Sequence, residues 1–203
     1  MDGPATGELE RAAVAYEEYE PFATVENDRL ETLPAAFADG SFLWKDVEWV
    51  VRWYSRRTLS NEPHPAESAF RENEWDEVET AIETAVSAAK VDATRANDTS
   101  ADDRRANDTS AALEALTALE GVDVPVASAF LHYVDPERYL VVDQQLWTVM
   151  AEHASLEAPP PDPIDVEDYR RYLECCRELA REHDLGLVSL YRALWRLGND
   201  GLA

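Results

Sequence analysis

Hydrophobic residues recur along this chain with the period of a helix. Apolar positions return every three or four residues, which places them on one face of a helix. The pattern predicts helices over 7–19, 24–38, 44–57, 74–90, 109–119, 125–134, 144–154, 165–183 and 187–198. The only β-like run is "YLVVD" at 139–143, which is too short to seed a sheet. The predicted fold class is therefore all-α.

The last two predicted helices have broad apolar surfaces. The helix 187–198 has two adjacent apolar stripes. The first consists of Leu187, Leu190, Leu194 and Leu197, and the second consists of Val188, Tyr191 and Trp195. Stripes that wide predict burial on most sides of the helix. In 165–183, Cys176 is in register with Tyr169 and Leu173, which predicts a core residue. The two adjacent cysteines and four scattered histidines match no disulfide framework or histidine-held metal site.

Polar and proline-rich segments separate the helices. Pro63 and Pro65 break the chain, and "APPPDPID" at 158–165 predicts a stiff linker because proline cannot continue a helix. The heptapeptide "RANDTSA" occurs at 95–101 and again at 105–111. So polar a segment predicts a mobile loop at about 92–108. We expect residues 1–62 to form N-terminal helices that pack on a core formed by 63–203.

The charge balance is strongly acidic. Aspartate and glutamate total 42 against 18 lysines and arginines, a net charge of -24. Such a surface repels nucleic acid at low salt, but in molar salt the screening length falls to ~3 Å and the repulsion nearly vanishes. With Lys45 and Lys90 as the only lysines, the composition suggests a halophile, and an acidic protein of an ordinary cell stays the alternative. No run reaches the ~20 apolar residues of a membrane span, and the N-terminus has no signal-peptide pattern, so we expect a cytoplasmic protein.

The most informative stretch is "LEGVDVPVASAFLHYVDPERYLVVDQQLW", from Leu119 to Trp147. A helix ends, "GVDVP" turns the chain, and "VASAFLHYV" begins a helix with small residues at 127–129, which let two helices approach closely. This is the arrangement of a helix-hairpin-helix. In that motif the N–H groups of the turn bind a DNA phosphate, as helix N-termini bind anions.

The stretch resembles the helix-hairpin-helix DNA glycosylase superfamily, which includes endonuclease III, the alkylbase glycosylases and the oxoguanine glycosylases. The resemblance rests on the hairpin "LEGVDVPVAS", the loop "DPERYLVV" with Pro136, and Asp143 at the spacing of the family's catalytic aspartate. It implies a glycosylase-like helical bundle with DNA as its partner.

The resemblance also implies a mechanism. Members of the family rotate a damaged base out of the duplex into a pocket. Asp143 would stabilise the positive charge that develops on the sugar, and would orient or deprotonate the attacking water. Bifunctional members have a lysine nucleophile at the position of Pro125. The expected reaction is therefore hydrolysis without the lyase step.

Further site residues follow from the same resemblance. The implied DNA-binding residues are Gly121, Val122, Val124, Pro125 and Gln145, and Trp147 is implied in the base pocket. No cofactor is implied other than a monovalent cation that the hairpin at 121–125 could hold. Two positions depart from the family pattern. Asp123 replaces the second hairpin glycine, where a left-handed turn suits glycine best, and Leu140 replaces a frequent proline.

A basic cluster offers a second candidate for DNA contact. Lys45, Arg52, Arg56 and Arg57 share one predicted helix with Trp49 and Trp53. Cations beside aromatic rings could hold a nucleic-acid backbone or stack a base. The alternative is that the arginines pair with the abundant surface carboxylates.

Alternatives also stay open for the hairpin and for Asp143. Aspartate is a favoured N-cap, so Asp143 could do no more than begin the helix 144–154. "GVDVP" could be a helix–helix turn without DNA contact. Two functions therefore remain: a DNA glycosylase without lyase activity, or a non-catalytic helix-hairpin-helix module for DNA binding or protein interaction.

Overall fold

The computed structural model describes residues 6–56, 65–93, 101–153 and 156–199. These residues contain helices and connecting segments, and no strand occurs among them, which confirms the all-α class for this part of the chain. The helices in these ranges are α1 (Thr6–Tyr19), α2 (Ala23–Asp39), α3 (Trp44–Arg56), α4 (Pro65–Phe70), α5 (Trp75–Ala93), α6 (Ala101–Thr117), α7 (Val124–Val134), α8 (Gln144–His153), α9 (Val166–Glu182) and α10 (Leu187–Gly198).

Two elements differ from the sequence-based expectation. The sequence pattern does not predict the short helix α4, because Pro63 and Pro65 indicate a break, yet a proline is tolerated in the first turn of a helix.

The predicted loop at about 92–108 is too long, because the backbone of α6 is already helical from Ala101. The Asn, Asp, Thr and Ser residues of α6 each disfavour a helix by under about 1 kcal/mol. This cost is small compared with the packing of α6 into the core, which includes Thr109 and the apolar residues after it. Residues 94–100, with most of the first repeat copy, lie outside the described residues.

One continuous apolar core includes residues from both predicted parts of the chain, 1–62 and 63–203. Helix α1 packs along α10, and α2 and α3 pack on α7. The predicted boundary between residues 62 and 63 lies outside the described residues.

Helix α7, which follows the hairpin, is buried over most of its length. Every residue from Val126 to Val134 is buried. The small side chains predicted at 127–129 are fully buried and allow the surrounding helices to approach. The position of α7 therefore determines where the chain on either side of it emerges.

The predicted core faces of the last two helices are confirmed in their central residues. On α10, Leu190 and Leu194 are fully buried and Tyr191 is almost so. On α9, Cys176 is fully buried, and this burial raises the pKa of its thiol above the usual range. The thiol therefore stays protonated at neutral pH and acts as a small apolar core group.

None of the helices in the described ranges combines the length and the apolarity that a membrane crossing needs.

Candidate nucleic-acid interface

The predicted hairpin connects α6 to α7 through residues 118–123. Gly121 lies in this turn with φ at 76°, in the left-handed region. A Cβ atom built there would lie 2.4 Å from the backbone oxygen of Ala66 and 2.8 Å from the backbone nitrogen of Phe70. Glycine is therefore needed both for the backbone angle and for the close contact with α4. This contact places the turn directly against α4.

Asn73 connects the hairpin to the turn between α4 and α5. The backbone N–H of Glu120 donates to Asn73 Oδ1 over 2.8 Å, and Asn73 Nδ2 donates to the carbonyl of Glu120 over 3.0 Å. The same amide group also donates to the carbonyl of Phe70. Sequence reasoning missed this residue, because an asparagine after a short helix has no pattern that links it to a turn 47 positions later.

Asp123 does not adopt the left-handed conformation that the family's second glycine suggested. Its φ is -89° and its ψ is 178°, so the backbone is extended. Its side chain accepts a hydrogen bond from the N–H of Val126 over 2.9 Å and so caps α7. The left-handed turn that would suit glycine therefore lies at Gly121 and not at Asp123. A negative charge nevertheless remains at the start of α7.

The other predicted hairpin contacts differ in exposure. Val122 is buried, and its N–H donates to the carbonyl of Leu119 within the turn, so this residue is structural rather than a phosphate ligand here. Val124 and Pro125 are partly buried and form the start of α7. Because the first N–H groups of a helix have no intrahelical partner, a proline there loses no hydrogen bond.

After α7, residues 135–142 carry the chain back through the core. The segment 139–142 is fully buried, although it forms no strand. The hydroxyl of Tyr169 donates to the carbonyl of Leu140 over 3.1 Å, and that of Tyr172 donates to the carbonyl of Val141 over 3.2 Å. Burial raises the pKa of both tyrosines well above the usual range, so their hydroxyls remain protonated donors. Buried carbonyls that a sheet would normally satisfy are satisfied here by side chains.

The direction of this return segment is set by two contacts with α7. His132 Nδ1 lies 3.0 Å from the carbonyl oxygen of Tyr139, and the N–H of Val142 donates to Ser128 Oγ over 3.0 Å. As the segment advances from 139 to 142, its partner on α7 moves back by four residues, about 6 Å along a helix. The chain therefore runs antiparallel to α7, and the residue before Asp143 contacts α7 at Ser128, in the half of the helix that is nearer to the hairpin.

Asp143 is partly exposed and begins α8. Its Oδ1 accepts a hydrogen bond from the N–H of Leu146 over 2.7 Å, and its carbonyl accepts one from Trp147. The N-cap interpretation is therefore confirmed, and it fixes one carboxylate oxygen. A carboxylate at a helix N-terminus is stabilised by the helix dipole. The catalytic role of the same residue stays a prediction.

Helix α3 lies next to the same region. The hydroxyl of Tyr54 donates to the carbonyl of Val142 over 3.3 Å. Arg52 Nε lies 3.7 Å from a carboxylate oxygen of Glu67 on α4, the helix that also contacts Gly121. The Arg52 side chain is 41% exposed, whereas that of Glu67 is 2% exposed. The predicted DNA-contacting helix, the hairpin and Asp143 are thus linked through α4 and the return segment.

The described part of the basic cluster matches neither interpretation fully. Lys45 is exposed, and Arg52 lies beside a carboxylate, as in the alternative interpretation, but this carboxylate belongs to the buried Glu67 and not to the surface. The side chain of Arg56 and the whole of Arg57 lie outside the described residues.

The two tryptophans of α3 belong to an aromatic layer. Trp53 is 7% exposed, and its ring N–H donates to the carboxylate of Glu26. Glu26 is itself buried and also accepts a hydrogen bond from the hydroxyl of Tyr16. Trp49 is partly buried, with the guanidinium of Arg29 5.3 Å from its ring centre. Trp53 is therefore a core residue and presents no ring face to a nucleic acid. No sequence pattern distinguishes Glu26 from the other acidic residues of α2.

The prediction that Trp147 lines an open base pocket is wrong for this structure. The side chain is 1% exposed, its ring stacks on Tyr172 with centroids 5.8 Å apart, and its N–H donates to the carbonyl of Glu157 over 2.8 Å. This hydrogen bond attaches the residue just before the proline-rich linker to the core. Gln145 is exposed and its side-chain amide lies against Gly198 of α10.

Within the described ranges, no three or more His, Cys, Asp or Glu side chains are grouped so that they could hold a metal ion. Comparisons of the chain with protein-family models, with curated proteins and with solved structures found no match.

Proposed function

We propose that the chain is a DNA-binding protein of the helix-hairpin-helix glycosylase type, and that it hydrolyses the bond between a flipped base and its sugar through Asp143. The observation that carries this proposal is the return of the chain along α7. The contact between Val142 and Ser128 holds the residue before Asp143 against the half of that helix that is nearer to the hairpin. This arrangement supports the proposal, because such an enzyme needs a turn that binds phosphate and a carboxylate on the same side of the helix.

The chemistry assigned to Asp143 is electrostatic and basic. As the base leaves, positive charge builds on the sugar, and a fixed carboxylate stabilises it more effectively than mobile water does. The same carboxylate orients or deprotonates the water that attacks the sugar carbon. Because Pro125 replaces the amine that a Schiff-base route needs, the proposed product is an intact abasic site.

The test is excision from duplex oligonucleotides that each carry one damaged base, in about 1 M KCl so that repulsion between the acidic protein and DNA is screened. Asp143→Asn is the decisive variant, because asparagine caps a helix as well as aspartate does and removes only the charge. We expect base release by the wild type and a loss of about 100-fold or more in the variant. Equal rates in the two proteins would contradict the role of Asp143.

A second function, a non-catalytic DNA-binding or protein-interaction module, is favoured by one observation. Trp147 packs in the core instead of facing a pocket beside Asp143. Under this alternative the protein binds duplex DNA or a protein but releases no base from any substrate. Binding measured by fluorescence anisotropy in parallel with excision therefore distinguishes the two functions.

A further inference from the structure

The residue before Asp143 is held from two sides. Its N–H donates to Ser128 Oγ of α7 over 3.0 Å, and its carbonyl accepts the hydroxyl of Tyr54 of α3 over 3.3 Å. This residue is Val142, and its carbonyl belongs to the peptide group that enters Asp143. The two contacts come from different helices, so they fix Val142 relative to both.

Ser128 has a second contact that makes its hydroxyl a fixed group. Its Oγ donates to the carbonyl of Pro125 over 2.6 Å while it accepts from the N–H of Val142. The serine is fully buried. The donor and acceptor roles of one hydroxyl thereby connect the first turn of α7 to the residue that precedes Asp143.

We propose that Tyr54 and Ser128 are positioning residues for Asp143, which hold its carboxylate at the start of α8 and connect it to the hairpin and to the helix of Arg52. The catalytic meaning of this inference rests on the proposed function, whereas the positioning itself does not. Because the N–H and the carbonyl of Val142 are both fixed, the backbone that enters Asp143 has little rotational freedom. Loss of either contact lets the carboxylate move away from the N–H of Leu146.

That N–H supplies a measurement that needs no substrate. The hydrogen bond from Leu146 to Asp143 Oδ1 slows exchange of the Leu146 amide hydrogen with solvent. We would measure its exchange rate relative to that of Met150, one turn later in the same helix, in three variants. Tyr54→Phe and Ser128→Ala each remove one of the two contacts. Tyr169→Phe is the matched control, because it removes an equivalent hydroxyl from the carbonyl of Leu140, two residues earlier.

We expect Tyr54→Phe and Ser128→Ala to speed exchange at Leu146 by about five- to tenfold, the effect of one lost hydrogen bond, while Tyr169→Phe changes it by less than about twofold. The same two variants slow single-turnover excision without weakening DNA binding. Tyr54 is partly exposed, so Tyr54→Phe folds even if the buried Ser128→Ala does not.

The outcomes separate the two proposals. Unchanged exchange at Leu146 in Tyr54→Phe, or an equal rise in Tyr169→Phe, overturns the positioning role. Faster exchange in the two test variants, together with no excision by the wild type, supports the positioning role and overturns the glycosylase function instead.

Discussion

The Cα of Gly121 lies so close to the backbone of Ala66 that a Cβ atom at the glycine would be 2.4 Å from the Ala66 carbonyl oxygen. The contact joins the hairpin to α4 through two backbones, neither of which can move aside as a side chain can. Since α4 also carries Glu67, the partner of Arg52, this contact fixes the hairpin relative to α3.

Gly121→Ala is expected to destabilise the fold by about 2 to 5 kcal/mol, the sum of a left-handed backbone cost and a steric overlap. Gly40→Ala is the matched control. Gly40 has a similar φ of 67°, but a Cβ atom placed there would meet nothing within 4 Å. The Gly40→Ala variant should therefore lose only about 1 to 2 kcal/mol of its free energy of unfolding. Urea denaturation measures both variants. Equal losses would show that the contact with Ala66 contributes nothing.

Most helices could be predicted from the sequence because their apolar faces repeat with the helical period. That periodicity identified α7, α9 and α10, and it placed Cys176 in the core. Helix α4 could not be predicted, because six residues show too little of a repeat and begin at Pro65. The period also cannot say which contact an apolar face makes, so it could not show that Trp147 packs on Tyr172.

For the candidate site, the spacing of helix, loop and aspartate along the sequence predicted more than the identity of single side chains did. A helix followed by a loop and an aspartate predicted that Asp143 begins α8, and this is confirmed. What fixes Asp143 could not be predicted, because Ser128 and Tyr54 are single hydroxyl groups on separate helices. Their importance depends on which backbone groups the fold leaves without a partner, and that is known only once the chain is packed.

The net charge of -24 predicts a strong dependence of stability on salt. Raising KCl from about 0.1 M to about 1 M shortens the screening length from roughly 10 Å to roughly 3 Å, which removes most of the repulsion between exposed carboxylates. We expect Tm to rise by about 2 to 4 °C for each kcal/mol by which the added salt increases the free energy of unfolding. An uncharged osmolyte at matched osmolality is the control, and a Tm that rises equally in both solutions would contradict an electrostatic cause.

Asp135 predicts a dependence of stability on pH. Burial raises the pKa of its carboxyl group, and the neighbouring Arg138 only partly opposes this. The folded state therefore holds the proton more tightly than the unfolded state. The resulting stabilisation is present below the unfolded pKa and is lost as pH rises through the folded pKa. Asp135→Asn has no such loss, so its stability relative to the wild type should increase as pH rises from the unfolded pKa through the raised folded pKa.

Chemical denaturation at several pH values measures this difference for Asp135→Asn. Asp39→Asn, at an exposed carboxylate, is the control for the general loss of one negative charge. A pH profile of Asp135→Asn that runs parallel to that of Asp39→Asn would show that burial of Asp135 has no effect on stability.

Asp123 allows a direct test of whether DNA contacts the hairpin. Its carboxylate caps α7 at the position where a phosphate would approach the turn. Two like charges about 4 Å apart in water repel by about 1 kcal/mol, so Asp123→Asn should tighten binding to a duplex oligonucleotide about fivefold at low salt. Asparagine keeps the cap, so stability is expected to change little.

Glu10→Gln, at an exposed position of α1, is the charge-matched control. Because screening removes the repulsion, the gain at Asp123 should fade in about 1 M KCl. Anisotropy titrations in which Asp123→Asn and Glu10→Gln change Kd equally at every salt concentration would place the bound DNA away from the hairpin.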